Sequence, residues 1–305
     1  MKRDTWTPRP MPVAGTVGWR ACVWCVAFGV LAGHPAMAGS TDVHDPMLER
    51  SVVQYVGSGG ALLSGPLGIA VDTAGREIVV APHGDIYVSD LSVPYVDHLD
   101  FRGRSLGRIA LPPPDDRLER GGAGALALAA DGRLFVASRA RAGRIYVFDA
   151  DGRRIGAWGT EGALPGQLSA ISSLALVGDS EVAVVCVDTQ LGVQVFDTAG
   201  YFRRGFGVHD IGAGRFSEPT GVAVWGDGRI WVVDSVRANL QVFDLAGEYE
   251  GAIEGGNDPA PWLYPSALSS DGHELLAMSE AGGSRLRLMW LQQPVTTHEA
   301  KDSGK

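Results

Sequence analysis

Acidic residues that end apolar segments are the first candidates for chemistry in this sequence. Asp90, Asp188 and Asp234 each follow a run of apolar residues, and Ser138 and Ser279 follow two similar runs. If these segments superimpose as repeats, the side chains form a ring on one face, where three carboxylates could hold Ca²⁺ through oxygen ligands. The interpretation that we favour is that each Asp or Ser accepts backbone N–H hydrogen bonds in the loop that it opens. No cofactor is therefore assigned, and Ca²⁺ remains the one candidate.

Other kinds of catalytic site find little support. A zinc enzyme would need several His or carboxylate ligands that converge, but the histidines after residue 38 are spread over tails, turns and one strand. The sequence has no G-x-S-x-G, Walker or H-E-x-x-H motif, so nucleophilic and phosphate chemistry are not indicated. The histidines in question are His44, His83, His98, His209, His273 and His298.

Basic and aromatic residues cluster in the loops that follow the acidic column. Arg and Tyr are enriched at protein interfaces, so this loop surface is the best candidate for a partner-binding face. An ordinary solvated rim is the alternative. The candidate residues are Tyr95, Arg139, Arg141, Arg144, Arg237, Asn239 and Arg285.

The elements that must position these residues form a repeat. Five segments share the order apolar stretch, Gly/Asp-rich turn, apolar stretch, and their first residues are 48, 48, 48 and 45 positions apart. Gly and Asp tolerate the positive φ of tight turns, so each segment is predicted to be a β-hairpin. The segments begin at Ile78, Leu126, Leu174, Val222 and Ala267.

Two further strands are predicted after most hairpins. A third strand ends in Asp100, Asp149, Asp197 or Asp244, each predicted to organise a turn, and a fourth strand follows. Four-stranded antiparallel units at this period, with no helical pattern between them, indicate an all-β β-propeller with five recognisable blades.

Closure of the ring depends on how the two ends of the repeat meet. The fifth repeat has three strands, and the alternating segment 52–57 has no hairpin before it. We expect this N-terminal strand to complete the last blade, which would remove exposed strand edges. Residues 66–75 also resemble the start of a repeat, so a six-bladed ring stays open.

The segment from Phe216 to Ile253 resembles the NHL repeat. It has the F-x-x-P-x-G-V-A-V opening, the G-x-I-x-V-x-D second strand and the L-Q-V-F-D third strand; Pro66–Asp72 and Arg144–Asp149 fit the same pattern. The resemblance implies a propeller used mainly as a binding platform, although the family and its structural relatives include lyases and lactonases with central metals. The Asn-His-Arg often found before the third strand is Arg237-Ala238-Asn239 here.

The N-terminus has the pattern of a secretory signal. Lys2, Arg3, Arg9 and Arg20 precede the apolar run 21–33, and small residues follow at Ala36 and Ala38. We expect cleavage after Ala38, with an uncleaved anchor as the alternative. The expected organisation is a signal peptide at 1–38, a tail at 39–50, the propeller at 51–291 and a disordered tail at 292–305. The mature chain would then be periplasmic or secreted, without a transmembrane anchor.

Net charge and cysteine content argue against a nucleic-acid partner and against an internal disulfide. Without residues 1–38 the chain keeps 22 basic and 34 acidic residues, which gives a net charge of −12. This net charge argues against nucleic acid as a partner. Cys186 would be the single remaining cysteine, so no internal disulfide is expected, and its apolar neighbours favour a buried thiol. Trp225 and Trp231 are expected to pack between blades.

These observations favour an exported, non-catalytic scaffold that binds a protein or another envelope component through its loop face. A metal-dependent lyase or lactone hydrolase with a central site is the alternative. RNA binding conflicts with export and with the acidic balance.

Overall fold

The computed structural model describes residues 24–27, 53–56, 76–81, 83–91, 93–102, 104–112, 122–138, 143–226, 228–255, 262–270, 275–280 and 285–290. The regular elements in these ranges are β-strands that form four sheets of four strands, one of three and one of two. The larger sheets are antiparallel meanders, as the repeat predicted. None of the described residues forms a helix with the length and hydropathy needed to span a membrane.

The five larger sheets are the blades of a β-propeller, numbered here in chain order. Blades 1 and 2 contain β3 (Arg76–Val80), β4 (Ile86–Asp90), β5 (Tyr95–Leu99) and β6 (Ser105–Ala110), and β7 (Ala123–Leu128), β8 (Leu134–Ser138), β9 (Arg144–Phe148) and β10 (Arg154–Trp158), respectively. Blades 3 and 4 contain β11 (Ile171–Val177), β12 (Glu181–Cys186), β13 (Leu191–Asp197) and β14 (Phe202–Val208), and β15 (Pro219–Val224), β16 (Ile230–Asp234), β17 (Asn239–Phe243) and β18 (Tyr249–Glu254), respectively. Blade 5 contains β19 (Pro265–Ser270), β20 (Leu275–Glu280) and β21 (Arg285–Trp290).

The predicted closure by the N-terminal strand is wrong in the described structure. The strand β2 (Val53–Val56) pairs antiparallel with β1 (Trp24–Ala27), and blade 5 has three described strands. An alternating strand can pair with any free strand edge, so its pattern alone could not identify its neighbour. Residues 57–75, which bear on the choice between five and six blades, lie outside the described residues, as do the predicted tails 39–50 and 292–305 and all of 1–38 except 24–27.

The core lies between neighbouring blades. Phe206 of blade 3 packs against Phe243 of blade 4, and the buried ring of Phe216 also contacts Phe243. Between blades 4 and 5, Trp225 and Trp231 join Trp262 in one cluster, which confirms that the two tryptophans pack between blades. Burying each large apolar side chain contributes about 1.5–3 kcal/mol, so these interfaces hold neighbouring blades together.

The turns repeat one hydrogen-bonding pattern. In the turns between third and fourth strands, the Oδ1 atom of an Asp accepts the backbone N–H groups two and four residues later, as Asp149 does from Asp151 and Arg153. Gly152 lies in the same turn at a φ of 74°, a conformation that favours glycine. The turn-organising role predicted for the third-strand aspartates is therefore confirmed at Asp100, Asp149, Asp197 and Asp244.

Candidate functional site

The upper face of the propeller carries the long loops. We define it as the face with the loops that join the fourth strand of one blade to the first strand of the next, and with the loops between second and third strands. In blades 3 and 4, the fourth-to-first loop that enters the blade is hydrogen-bonded to the second-to-third loop of the same blade. Gln190 N–H donates to the Ala163 carbonyl (2.8 Å), and Ser235 N–H donates to the Glu218 carbonyl (2.9 Å). The two loops of blade 3 therefore form one surface, and so do those of blade 4.

Two of these loops, 160–168 and 208–216, have the same fold. In each loop the two ends are joined by a parallel β-bridge, Glu161 with Leu168 and His209 with Phe216. Leu168 and Phe216 are fully buried, so the end of each loop is anchored in the core. The turn between these ends projects from the face in a fixed conformation.

A buried glutamine fastens each of the two loops from below. Gln241 accepts a hydrogen bond from Gly214 N–H (3.0 Å) and donates to the Arg215 carbonyl (2.7 Å). Gln194 makes the same two bonds to Gly166 and Gln167, each at 2.7 Å. Both glutamines lie on third strands. Sequence reasoning missed them, although their recurrence in V-Q-V-F-D and L-Q-V-F-D is a signal that could have found them.

Several predicted partner-binding residues instead hold these loops. The Arg237 guanidinium donates to the carbonyls of Gly212 (2.7 Å) and Arg215 (2.8 Å), and that of Arg144 donates to the Gly159 carbonyl (3.1 Å). Asn239 is 1% exposed and donates to Glu254, so its side chain is not part of an accessible surface. A residue type on a loop does not reveal whether its side chain faces solvent or the backbone.

The remaining predicted members of this face are dispersed. Tyr95 lies at the start of β5, where the Arg108 guanidinium stacks over its ring at 4.2 Å. Arg285 begins β21 in blade 5. Arg139 and Arg141 lie outside the described residues.

Apolar side chains occupy the outer surface of these loops. Ile211 is 86% exposed at the turn of loop 208–216, and Leu164 is 54% exposed at the turn of loop 160–168. Val236 is 59% exposed in the neighbouring second-to-third loop, and Tyr264 is 66% exposed directly before β19. Tyr264 also has a φ of 45°, a conformation that costs a non-glycine residue about 1–2 kcal/mol. The upper face of blades 3 to 5 thus presents large apolar groups, of which Leu164 and Ile211 lie on loops held by buried glutamines.

The described aspartates of the acidic column have different surroundings. Asp234 is fully buried, and its carboxylate accepts the backbone N–H groups of Ser217 (2.6 Å), Glu218 (3.2 Å) and Arg237 (3.0 Å). This bonding confirms the loop-organising role that we favoured for that position. Asp188 is exposed beyond the end of β12, and Asp90 ends β4 partly buried. Within the described ranges, no three His, Cys, Asp or Glu side chains are placed to hold a metal ion.

The lower face, which carries the turns between first and second strands, has polar groups of a different kind. Asp85 Oδ2 lies 2.9 Å from His98 Nε2 and 3.2 Å from His83 Nε2, and His98 stacks on Tyr87. Burial raises the pKa of Tyr87, and the nearby Asp85 carboxylate adds to the rise.

A cleft of about 730 Å³ between blades 3 and 4 opens on the same face beside the Glu181–Arg204 ion pair. No other charged side chain of the described residues lines that cleft.

Comparisons with known proteins agree with the repeat. A sequence model of the NHL repeat matches residues 216–243. No curated protein matches the chain. Among solved structures, a Bacteroides thetaiotaomicron protein of unknown function has a TM-score of 0.55 at 15% identity, covering 75% of this chain and 70% of that one.

Two further structures differ in what they do. A Xanthomonas campestris gluconolactonase has a TM-score of 0.53 at 16% identity, covering 80% of this chain and 83% of that one. A chain of a nidogen/laminin complex also has a TM-score of 0.53 at 16% identity, covering 72% and 78%. Identities this low show the fold alone. The chain is a β-propeller that contains an NHL repeat at residues 216–243, and its fold is shared by an enzyme and by a component of a protein complex.

Proposed function

We propose that this chain is an exported, non-catalytic propeller that binds a protein partner through the upper face of blades 3 to 5. The observation that carries the proposal is Ile211, an aliphatic side chain 86% exposed on a loop fastened by Gln241 and Arg237. A rigid loop loses little conformational entropy on binding, so an apolar side chain held in this way contributes efficiently to affinity.

The neighbouring loops extend this surface. Leu164, Val236 and Tyr264 lie on the same face, and Ser172 Oγ donates to the Pro219 carbonyl (3.3 Å) to link the upper ends of blades 3 and 4. Exposed apolar residues grouped on one face mark interaction sites more often than isolated ones do. The similar propeller in a nidogen/laminin complex supports the use of this fold in protein assemblies.

The enzyme alternative has less support among the described residues. The gluconolactonase shows that the fold accommodates an enzyme, but a likeness at 16% identity transfers no site. The buried carboxylate of Asp234, which the alternative would use, accepts backbone N–H bonds instead. Polar groups committed to loop structure are poor candidates for substrate chemistry.

Site-specific photocrosslinking tests the proposal. A photoreactive amino acid replaces Ile211 in the full chain, expressed in its own cells, and a second variant carries it at Tyr201. Tyr201 is a matched control because it is 70% exposed in a turn of the lower face. We expect one discrete protein adduct from position 211 and none from position 201. Identical adduct patterns from both positions, or none from either, would overturn the proposal.

A further inference from the structure

We infer that the partner presents a segment in which apolar residues are interspersed with Lys or Arg, which the upper face of blades 3 and 4 binds. This inference rests on the proposed function and specifies its partner. The inference comes from the carboxylates near the exposed apolar side chains. The sequence suggested basic residues on this face instead.

Among the described residues of this region, the exposed charges without an ion-pair partner are negative. Glu161, Asp188 and Glu218 are exposed, and their carboxylates form no ion pair within the described part of the chain. The cations nearby that the structure describes already have partners. Arg215 pairs with Asp210, while the guanidinium groups of Arg144 and Arg237 donate to backbone carbonyls and are partly buried.

Leu164 and Val236 each share a loop unit with at least one of these carboxylates. Glu161 and Leu164 lie in the same loop, 160–168. Asp188 lies in the second-to-third loop of blade 3, which is joined to loop 160–168 by the bond from Gln190 N–H to the Ala163 carbonyl. The backbone carbonyl of Glu218 accepts a hydrogen bond from Ser235 N–H, and Ser235 directly precedes Val236. Apolar and negative side chains are therefore combined in these bonded loops of blades 3 and 4.

A surface that combines exposed apolar side chains with carboxylates fits a cationic protein segment better than other occupants. Nucleic acid and anionic lipid would be repelled by the carboxylates. A second copy of the chain would present the same negative face, and the chain after residue 38 has a balance of −12. Tyr264, with an exposed ring at the edge of this region, can also receive a Lys or Arg side chain through a cation–π contact.

Three labelled synthetic peptides test the inference against the chain purified from the cells that make it. They share the same Leu and Phe positions and carry Lys, Gln or Glu at every other position. Binding is measured by fluorescence anisotropy at about 0.05 M and about 0.5 M NaCl, because screening weakens contacts between exposed charges. We expect the Lys peptide to bind about tenfold more tightly than the Glu peptide at low salt, and this preference to shrink at high salt.

Variants localise the effect. Glu161→Gln combined with Glu218→Gln should weaken binding of the Lys peptide about fivefold and leave that of the Gln peptide unchanged. Asp179→Asn is the control, because Asp179 is exposed in a turn of the lower face, and it should change neither. Ile211→Ser should weaken binding of the Lys and Gln peptides alike.

The outcomes separate this inference from the proposed function. If the peptides bind with no preference for Lys and still depend on Ile211, the cationic partner is wrong and the binding face stands. If Ile211→Ser changes no peptide's affinity, the proposed function itself fails. An adduct from position 211 with the mass of two copies of this chain would also overturn the inference.

Discussion

Gln194 and Gln241 occupy equivalent positions in adjacent blades, and each uses both ends of its amide to hold a loop of the upper face. The amide oxygen accepts from a glycine N–H, and the amide nitrogen donates to the carbonyl of the next residue. Both side chains are buried, so these bonds form away from competing water. The exposed apolar residues of the two loops therefore owe their fixed positions to polar groups in the interior.

Replacing Gln241 with Leu should loosen loop 208–216. The substitution leaves the Gly214 N–H and the Arg215 carbonyl without these partners, which we expect to cost about 1–3 kcal/mol of unfolding free energy. Urea unfolding measures the loss, and hydrogen exchange at Gly214 should become faster. Gln190→Leu is the control, because Gln190 is exposed. Equal exchange rates at Gly214 in wild type and Gln241→Leu would contradict the holding role.

Removing the Asp234 carboxylate should destabilise the fold without affecting any metal content. Asp234→Ala deprives three backbone N–H groups of their acceptor, and we expect a loss of about 2–3 kcal/mol in urea unfolding. Asp188→Ala, at an exposed position, should change stability by less than about 0.5 kcal/mol. A stoichiometric metal ion that survives dialysis of the wild type and is lost in Asp234→Ala would instead identify a metal site.

Acid should remove the contribution of Asp197 to stability. The Tyr201 backbone N–H and the Arg203 guanidinium lower the pKa of Asp197 in the folded chain. A lowered folded pKa gives stability that is present above the unfolded value, about 3.9, and is lost as the pH falls through the folded value. We expect Asp197→Asn to be less stable than wild type at pH 7, and the difference in urea midpoint to shrink as the pH falls below about 4. A difference that grows on acidification would show that the sign is wrong.

The blades could be predicted from sequence because their signals are local. Gly and Asp in the turns and the alternation of each strand fix a hairpin within a dozen or so residues, and the 48-residue spacing then shows the repeat. Aspartates such as Asp149 and Asp244 could be interpreted for the same reason, since their bonds reach only two and four residues ahead.

The upper face could not be predicted in this way, because it depends on contacts between distant residues. Gln241 bonds to residues 26 and 27 positions earlier, and although the repeated Q-V-F-D marks its position, that pattern does not show which groups the side chain contacts. Ile211 would ordinarily be placed in a core, and its exposure becomes evident only in the folded loop. The pairing of β2 with β1 was missed for a related reason, since strand alternation does not specify a partner.

Cys186 should not react with thiol reagents while the chain is folded. Its side chain is fully buried, and burial raises the pKa of the thiol to about 12, so little thiolate forms at pH 8. Labelling with iodoacetamide should therefore need urea. The denatured chain should then show one reactive thiol if residues 1–38 have been cleaved, and three if Cys22 and Cys25 are retained. Rapid labelling of Cys186 without denaturant would contradict the burial.

Gly221 should be intolerant of even one added carbon, because it lies where the first strands of blades 4 and 5 meet. A Cβ atom there would lie 2.5 Å from the Ser266 carbonyl oxygen and 2.9 Å from the Leu268 nitrogen, so two backbones would have to separate. We expect Gly221→Ala to lower the unfolding free energy by about 1–3 kcal/mol. Gly251→Ala, at a strand position with no atom within 4 Å of the added carbon, is the matched control and should be neutral or slightly stabilising. Equal urea midpoints for the two variants would show that blades 4 and 5 are not packed as closely as this distance requires.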